Sequence, residues 1–298
     1  MPMLSSAAAP YARAADRELL PVSRAEAQAV PAETAERPDV AALALEGVSL
    51  SFGGVAALRE VDLAFADGAI TSVIGPNGAG KTSLINVISG VYTPDSGRIV
   101  IKGRAYKRSP TARLASLGVA RTFQNLGLFK GLSTFDNVAL GLSYAPRATI
   151  IEQVFGFGRA RSEVAEVRRR TEQALEWLHL APYHDRLVGG LPYGVQKRIE
   201  LARAIVAEPH FLLLDEPLAG MTMDDKAEMS ELIRSVHLRL GATVVLIEHD
   251  IGLVMSLSDR VAVFDYGRKI AEGTPEEVQA NPTVIDAYLG VPHSDEEA

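Results

Sequence analysis

From residue 42 onward, short apolar runs bounded by Gly, Asp or Pro alternate with longer stretches at helical spacing. Ala42 to Phe52 reads as a strand with partial alternation, broken at Gly53-Gly54. Val61 to Phe65 alternates and predicts a second strand, closed by a turn at Asp67-Gly68. Ala69 to Ile74 predicts a short buried strand, and Leu84 to Ile88 the body of a helix running from near Gly80 to near Gly90. A turn at Pro94 to Gly97 leads into a strand at Arg98 to Ile101. Ala112 to Leu117 predicts a short helix and Gly118 to Phe123 a strand.

The pattern then changes period. Ser133 is placed to cap a helix. Glu163 to Leu180 sets Val164, Val167, Leu175 and Leu178 against a polar face that includes Arg168, Arg169 and Arg170, with Trp177 on the apolar side. A further helix runs from Tyr193-Gly194 through Leu201, Ile205 and Val206. About residues 127–208 are therefore mostly helical, between flanks that alternate strand and helix, an α/β pattern. Phe211 to Leu214 is continuously apolar, which predicts a strand covered on both faces. Asp224 to Leu240 predicts a long helix stopped by Gly241, and Thr243 to Ile247 another strand. Arg260 to Phe264 and Arg268 to Ala271 predict a hairpin around Asp265-Tyr266-Gly267, followed by short helices at Pro275 to Gln279 and Thr283 to Leu289.

Composition narrows the class without naming it. The chain has 298 residues, 47% of them hydrophobic and 22% charged, an ordinary globular balance. A net charge of −7 argues against a nucleic-acid surface. The absence of Cys removes disulfides and thiolate metal sites. No apolar run reaches the roughly 20 residues a bilayer requires, so a membrane connection would go through a partner. Residues 1–40 are rich in Ala, Pro and Glu and predict a disordered N-terminal extension, with a weak helix as the alternative over Ala12 to Ala29. They lack the basic start and long apolar core of a secretory signal.

Chemistry enters at Gly75-Pro76-Asn77-Gly78-Ala79-Gly80-Lys81-Thr82, which fits G-x-x-x-x-G-K-[ST] between a predicted strand and a predicted helix. Glycines let the backbone curl and turn N–H groups toward an anion, and the helix adds its positive end. Lys81 would reach the β- and γ-phosphates, and the Thr82 hydroxyl would enter a Mg²⁺ shell. Ser83 extends this nucleotide-binding segment. Asp215-Glu216 ends the Phe211 strand: Asp215 can hold the Mg²⁺ shell, and Glu216 can orient or deprotonate water. His249 follows another buried-strand pattern, where a parallel sheet delivers catalytic groups to its carboxyl edge. Gln124 follows a third. His179, His184, His210, His237 and His293 read as structural.

In order and spacing, Gly75 to Thr82, Gln124, Leu191-Pro192-Tyr193-Gly194-Val195-Gln196, Leu212 to Glu216 and His249 resemble the ATP-binding subunit of ABC transporters, over about residues 43–291. Tyr193-Gly194, Ile247-Glu248-His249-Asp250 and the ending Asn281 to Gly290 resemble the ATPases of branched-chain amino acid importers. The resemblance implies an ABC ATPase domain at residues 41–298. Its fold would be a P-loop NTPase (RecA-like) core with an antiparallel β subdomain and an inserted α-helical subdomain at about 127–208. It implies ATP and Mg²⁺ as cofactors, and Glu216, His249, Gln124 and Lys81 as catalytic groups. Thr82, Gln124 and Asp215 would hold the metal. Phe52 would stack on adenine, its alternative being a core aromatic. Gly194 would approach the γ-phosphate bound by the opposite subunit.

The implied function is ATP hydrolysis powering an importer, with branched-chain amino acids leading. Urea, amides, other amino acids and lipopolysaccharide export are the alternatives. A non-transport ATPase of the same superfamily is disfavoured by the single cassette and the acidic balance. Implied partners are membrane permeases, a second ATPase subunit in a homo- or heterodimer, and indirectly a periplasmic or extracellular solute-binding protein, but no nucleic acid. The implied location is the cytoplasmic face of the inner (plasma) membrane. Four positions depart from the usual family pattern, whose signature is Leu-Ser-Gly-Gly-Gln: Pro192 at its serine, Tyr193 after it, Val195 at its glutamine, and Thr222 where an aspartate is frequent.

Overall fold

A computed structural model describes residues 42–122, 126–142 and 159–289. The expectations for residues 1–40, Phe123, Gln124 and His293 lie outside the described residues. In chain order the elements are β1 (Leu43–Phe52), β2 (Val55–Phe65), β3 (Ile70–Ile74), α1 (Lys81–Ile88), β4 (Ser96–Ile101), β5 (Arg104–Tyr106) and β6 (Val119–Arg121). Next come α2 (Thr134–Ala139), α3 (Arg159–Trp177), α4 (Tyr193–Ile205), β7 (Phe211–Asp215) and α5 (Met223–Leu240). The rest comprises β8 (Thr243–Ile247), α6 (Ile251–Leu257), β9 (Arg260–Asp265), β10 (Arg268–Gly273), α7 (Pro275–Gln279) and α8 (Pro282–Leu289).

Two sheets carry the fold. One is antiparallel, in the order β2-β1-β4-β5. The other has the order β10-β9-β3-β8-β7-β6, parallel from β9 to β6 with β10 as an antiparallel edge. This is the α/β arrangement expected, with an antiparallel β portion and, between β6 and β7, only helical elements among the described residues. β2 starts at Val55 rather than at Val61, because Gly53 and Gly54, both at positive φ, turn the chain directly back onto β1. Three register shifts in that pair blur the alternation that would have shown it in the sequence. The helix expected at Ala112 to Leu117 is a single 3₁₀ turn at Thr111–Arg113 followed by turns.

The continuous apolar runs behave as their pattern predicts, since β3, β7 and β8 are buried at every position. Alternate residues supply opposite layers. Val73, Leu213 and Val245 meet α1, through Leu84, Ile85 and Ile88, and the antiparallel sheet. Leu212, Leu214, Val244 and Leu246 meet Ile199, Ile205, Ile233 and Val236 of α4 and α5. Each fully buried Leu, Ile or Val contributes about 1.5–3 kcal/mol. Trp177 is partly buried against this second layer, with Arg239 above its ring. Arg168 and Arg169 are exposed and Arg170 half-buried, all three paired with Glu166 or Glu172. Ser133 caps α2, its Oγ accepting from the Asp136 N–H at 3.0 Å.

The parallel register fixes what stands together. Val73 lies opposite Ile247, and Ile247 lies opposite Asp215. Gly75, Glu216 and Glu248-His249 therefore leave the sheet side by side at its carboxyl edge. No helix among the described residues is long and apolar enough to cross a membrane.

Candidate functional site

The loop between β3 and α1 is shaped by glycine. Gly75, Gly78 and Gly80 have φ of 150, 85 and 100°. A Cβ on Gly75 would meet the Phe264 carbonyl oxygen at 2.1 Å, and one on Gly80 the Ala57 oxygen at 2.5 Å. Only glycine lets the loop lie this close to β9 and β2. α1 begins after Gly80 with no capping side chain and no acid in its first turn, which suits it to receive an anion. Lys81 is buried, and its Nζ donates to the Gly75 and Pro76 carbonyls at 2.8 and 2.9 Å. Burial lowers its ammonium from the ordinary 10.5, and Glu216 raises it in part. Pro76 and Ser83 are half-buried, Ala79 is buried, and Asn77, Gly78 and Thr82 are exposed.

The two carboxylates after β7 have separate surroundings. Asp215 is 1% exposed, and its Oδ2 accepts from Arg121 at 2.9 Å. Its Oδ1 has no hydrogen-bond partner among the described residues. Burial raises the Asp215 carboxyl above 3.8, against the lowering effects of Arg121 and the nearby Lys197. Glu216 turns out of the sheet in a left-handed conformation, φ 49°, anchored by its N–H on the Ile247 carbonyl at 2.9 Å. Its Oε1 lies 2.7 Å from Nε2 of His249. The structure thus brings together the phosphate loop, Asp215, Glu216 and His249.

Other candidates stand apart from that cluster. Phe52 is 46% exposed and meets Tyr92 edge-on at 5.0 Å, so it is not a core aromatic. Gly194 lies in the first turn of α4, and a Cβ placed on it would meet the carboxylate of Asp225, within 2.9 Å, rather than an atom of the phosphate loop. Pro192 is the N-cap of α4 and offers no side-chain cap. Thr222 caps α5, its hydroxyl bonded to Asp225. His179, His184, His210 and His237 lie on other partners: Glu228, Asp185, Asp67 and the Ala242 carbonyl.

Sequence reasoning missed four residues. Arg121 holds Asp215. Lys197 is a buried ammonium without a hydrogen-bond partner among the described residues, 3.8 Å from Glu200. Glu248 is buried and accepts from the Leu218 N–H at 2.7 Å and the His249 N–H at 3.1 Å. Partial burial raises the Tyr288 phenol above its ordinary 10.0, offset in part by the nearby Gly75 N–H. The available signal was charge inside apolar patterns: Arg121 in Val119 to Thr122, and the i,i+3 pair Lys197 and Glu200 on α4.

A glycine-shaped phosphate loop with Asp215, Glu216 and His249 along one sheet edge defines a P-loop nucleoside triphosphatase. The family profile described as "ABC transporter" matches residues 58–219, and that described as "Branched-chain amino acid ATP-binding cassette transporter" matches residues 268–294. The chain belongs to the ATP-binding cassette family of transporter ATPases. It is 39% identical over 251 residues to the high-affinity branched-chain amino acid transport ATP-binding protein LivG of Salmonella typhimurium, covering 83% of this chain and 97% of that protein. It is 37% identical over 248 residues to the corresponding protein BraF of Pseudomonas aeruginosa, with the same shares covered. A solved nucleotide-free ATP-binding cassette from an ABC transporter matches with a TM-score of 0.71 at 30% identity, over 83% of this chain and 98% of that one.

Proposed function

We propose that this chain is the ATP-hydrolysing subunit of an importer for branched-chain amino acids. The observation that carries the hydrolytic reading is the 2.7 Å contact between Glu216 and His249 at the mouth of the phosphate loop. Glu216 orients and deprotonates the attacking water. His249, once turned from Glu216 to the γ-phosphate, stabilises charge spreading over it. Lys81 meets the β- and γ-phosphates, the loop N–H groups hold them, and Phe52 offers an exposed face to adenine.

The residues also fit Mg²⁺. Asp215 Oδ1 is a buried acceptor without a hydrogen-bond partner among the described residues, and Thr82 presents a hydroxyl at the loop's end, the hard oxygen donors this ion takes beside substrate phosphates. Mg²⁺ held by these residues would supply positive charge that offsets the charge of the nucleotide phosphates. Gln124 would touch the metal or the water.

Gly194 is directed to the γ-phosphate of a second ATPase subunit, the same chain or a related one, and the pair works beneath membrane permeases at the cytoplasmic face. A solute-binding protein outside that membrane would deliver cargo. The cargo reading is supported by the relatives named above and by the profile matching residues 268–294.

Glu216→Gln tests the hydrolytic role. It should slow ATP turnover by about 10²–10⁴ and leave ATP binding intact. Unaltered turnover would remove Glu216 from the mechanism. For cargo, ATPase activity of the reconstituted transporter is measured with its binding protein loaded with leucine, urea, an amide or another amino acid. Stimulation by urea and not leucine would overturn the branched-chain assignment.

A further inference from the structure

Arg121 closes β6, an edge strand, yet its side chain is only 9% exposed. One guanidinium nitrogen donates to Asp215 Oδ2 at 2.9 Å. The other terminal nitrogen donates to Asn86 Oδ1 at 2.8 Å and Ser89 Oγ at 2.5 Å. Asn86 and Ser89 lie four and seven positions after Thr82, so all three share one stripe of the phosphate-loop helix. A single planar cation thus joins the helix that carries Thr82 to the strand end that carries Asp215. The guanidinium fork can serve these acceptors at once in fixed directions, which an ammonium cannot.

The consequence falls on Asp215. With Oδ2 occupied, the carboxylate is held in one orientation, and Oδ1 is the oxygen left over, buried and without a hydrogen-bond partner among the described residues. We propose that Arg121 is a positioning residue for the Mg²⁺ site: it orients Asp215 so that Oδ1 alone is presented, and it keeps that oxygen in register with Thr82. The proposal rests on the reading above that Asp215 and Thr82 enter the Mg²⁺ shell. Outer partners of metal-binding groups act this way generally, by fixing the direction of the group that meets the metal.

The test uses the full chain with Arg121→Lys, Arg121→Met and, as a control, Asp215→Asn. ADP affinity is measured by calorimetry without Mg²⁺ and across a Mg²⁺ titration, beside melting curves without nucleotide. Metal-free ADP affinity should stay within about twofold of the parent. The Mg²⁺ midpoint should rise by about tenfold or more in Arg121→Met and by less in Arg121→Lys, which keeps the charge and loses the fork. If the Met variant does not fold, the Lys variant decides. A lowered melting temperature with an unchanged Mg²⁺ midpoint would make Arg121 a structural ion pair only and overturn the proposal. A lowered midpoint would make it a competing cation, which also overturns it. An unchanged midpoint in Asp215→Asn would instead locate the failure in the metal assignment of Asp215, and the inference would fall with it.

Discussion

The carboxylate of Glu248 accepts the backbone N–H of Leu218 at 2.7 Å, across the gap between the loops that follow β8 and β7. Its other oxygen accepts the N–H of His249 at 3.1 Å. Glu216 and His249 sit on those two loops, so Glu248 sets the distance between them. Glu248→Ala would leave the buried Leu218 N–H without an acceptor, at about 1–3 kcal/mol, and the part-buried His249 N–H without one at a smaller cost. Denaturant unfolding should show a loss of about 2–4 kcal/mol, with Glu248→Gln intermediate because its amide nitrogen cannot accept. Turnover should fall with it. A Glu248→Ala protein of parental stability would show that the two loops hold themselves.

Acid should weaken the metal response before it unfolds the chain. Burial raises the Asp215 and Glu248 carboxyls above their ordinary 3.8 and 4.5. A raised carboxyl means that the folded chain keeps its proton to higher pH than the unfolded chain. The contribution of these two groups to the stability of the fold without nucleotide therefore falls as pH rises through that window. Mg²⁺ needs the Asp215 carboxylate, so its added stabilisation grows over the same window. Melting temperatures with ADP and with Mg²⁺-ADP should converge on acidification at a pH above 3.8. A Mg²⁺ increment that holds down to about pH 4 would contradict this.

Pro192 gives α4 no side-chain cap. In Pro192→Ser a hydroxyl cap adds about 1 kcal/mol, and the loss of proline's restriction on the unfolded chain removes about 0.4–1. Stability should stay nearly level while ATP-dependent dimerisation in a Glu216→Gln background rises modestly. Light scattering would read this, and an unchanged dimer fraction would mean that the serine contact is dispensable here.

The Tyr288 hydroxyl, on α8, lies near the Gly75 N–H of the phosphate loop. Val284, one turn before it on α8, is buried in the same cluster as Ile74, the residue preceding Gly75. Tyr288→Phe leaves that cluster untouched and removes the hydroxyl near the Gly75 N–H. A loss of about 0.5–1.5 kcal/mol in ADP binding should follow, roughly 2- to 12-fold in affinity, with little change in melting temperature. Equal ADP affinity in the two proteins would detach α8 from nucleotide binding.

Much of this was legible because certain side chains follow strands whose apolarity is continuous. β3, β7 and β8 announce themselves by period alone, and Gly75, Asp215 and His249 lie at or just beyond their ends. Partnership across the fold leaves no such trace. Arg121 in the sequence is one cation in an apolar stretch, and nothing local says that it meets Asn86 and Asp215. Glu248 reads as a polar end to a strand, although it brackets two loops. β2 was shortened because bulges break the two-residue period on which its detection depends. The single turn at Thr111–Arg113 shows the opposite error, an apolar spacing that fits a helix where the chain turns instead.

Lys81 directs two ammonium hydrogens at the carbonyls of Gly75 and Pro76. Its third can meet a phosphate oxygen while those two keep the loop curled. The lysine is therefore a strut as well as a charge. Its removal would slacken the backbone that aims the surrounding N–H groups. The affinity lost in Lys81→Met would measure a collapsed anion cradle together with a missing cation, and so overstate the attraction between lysine and phosphate.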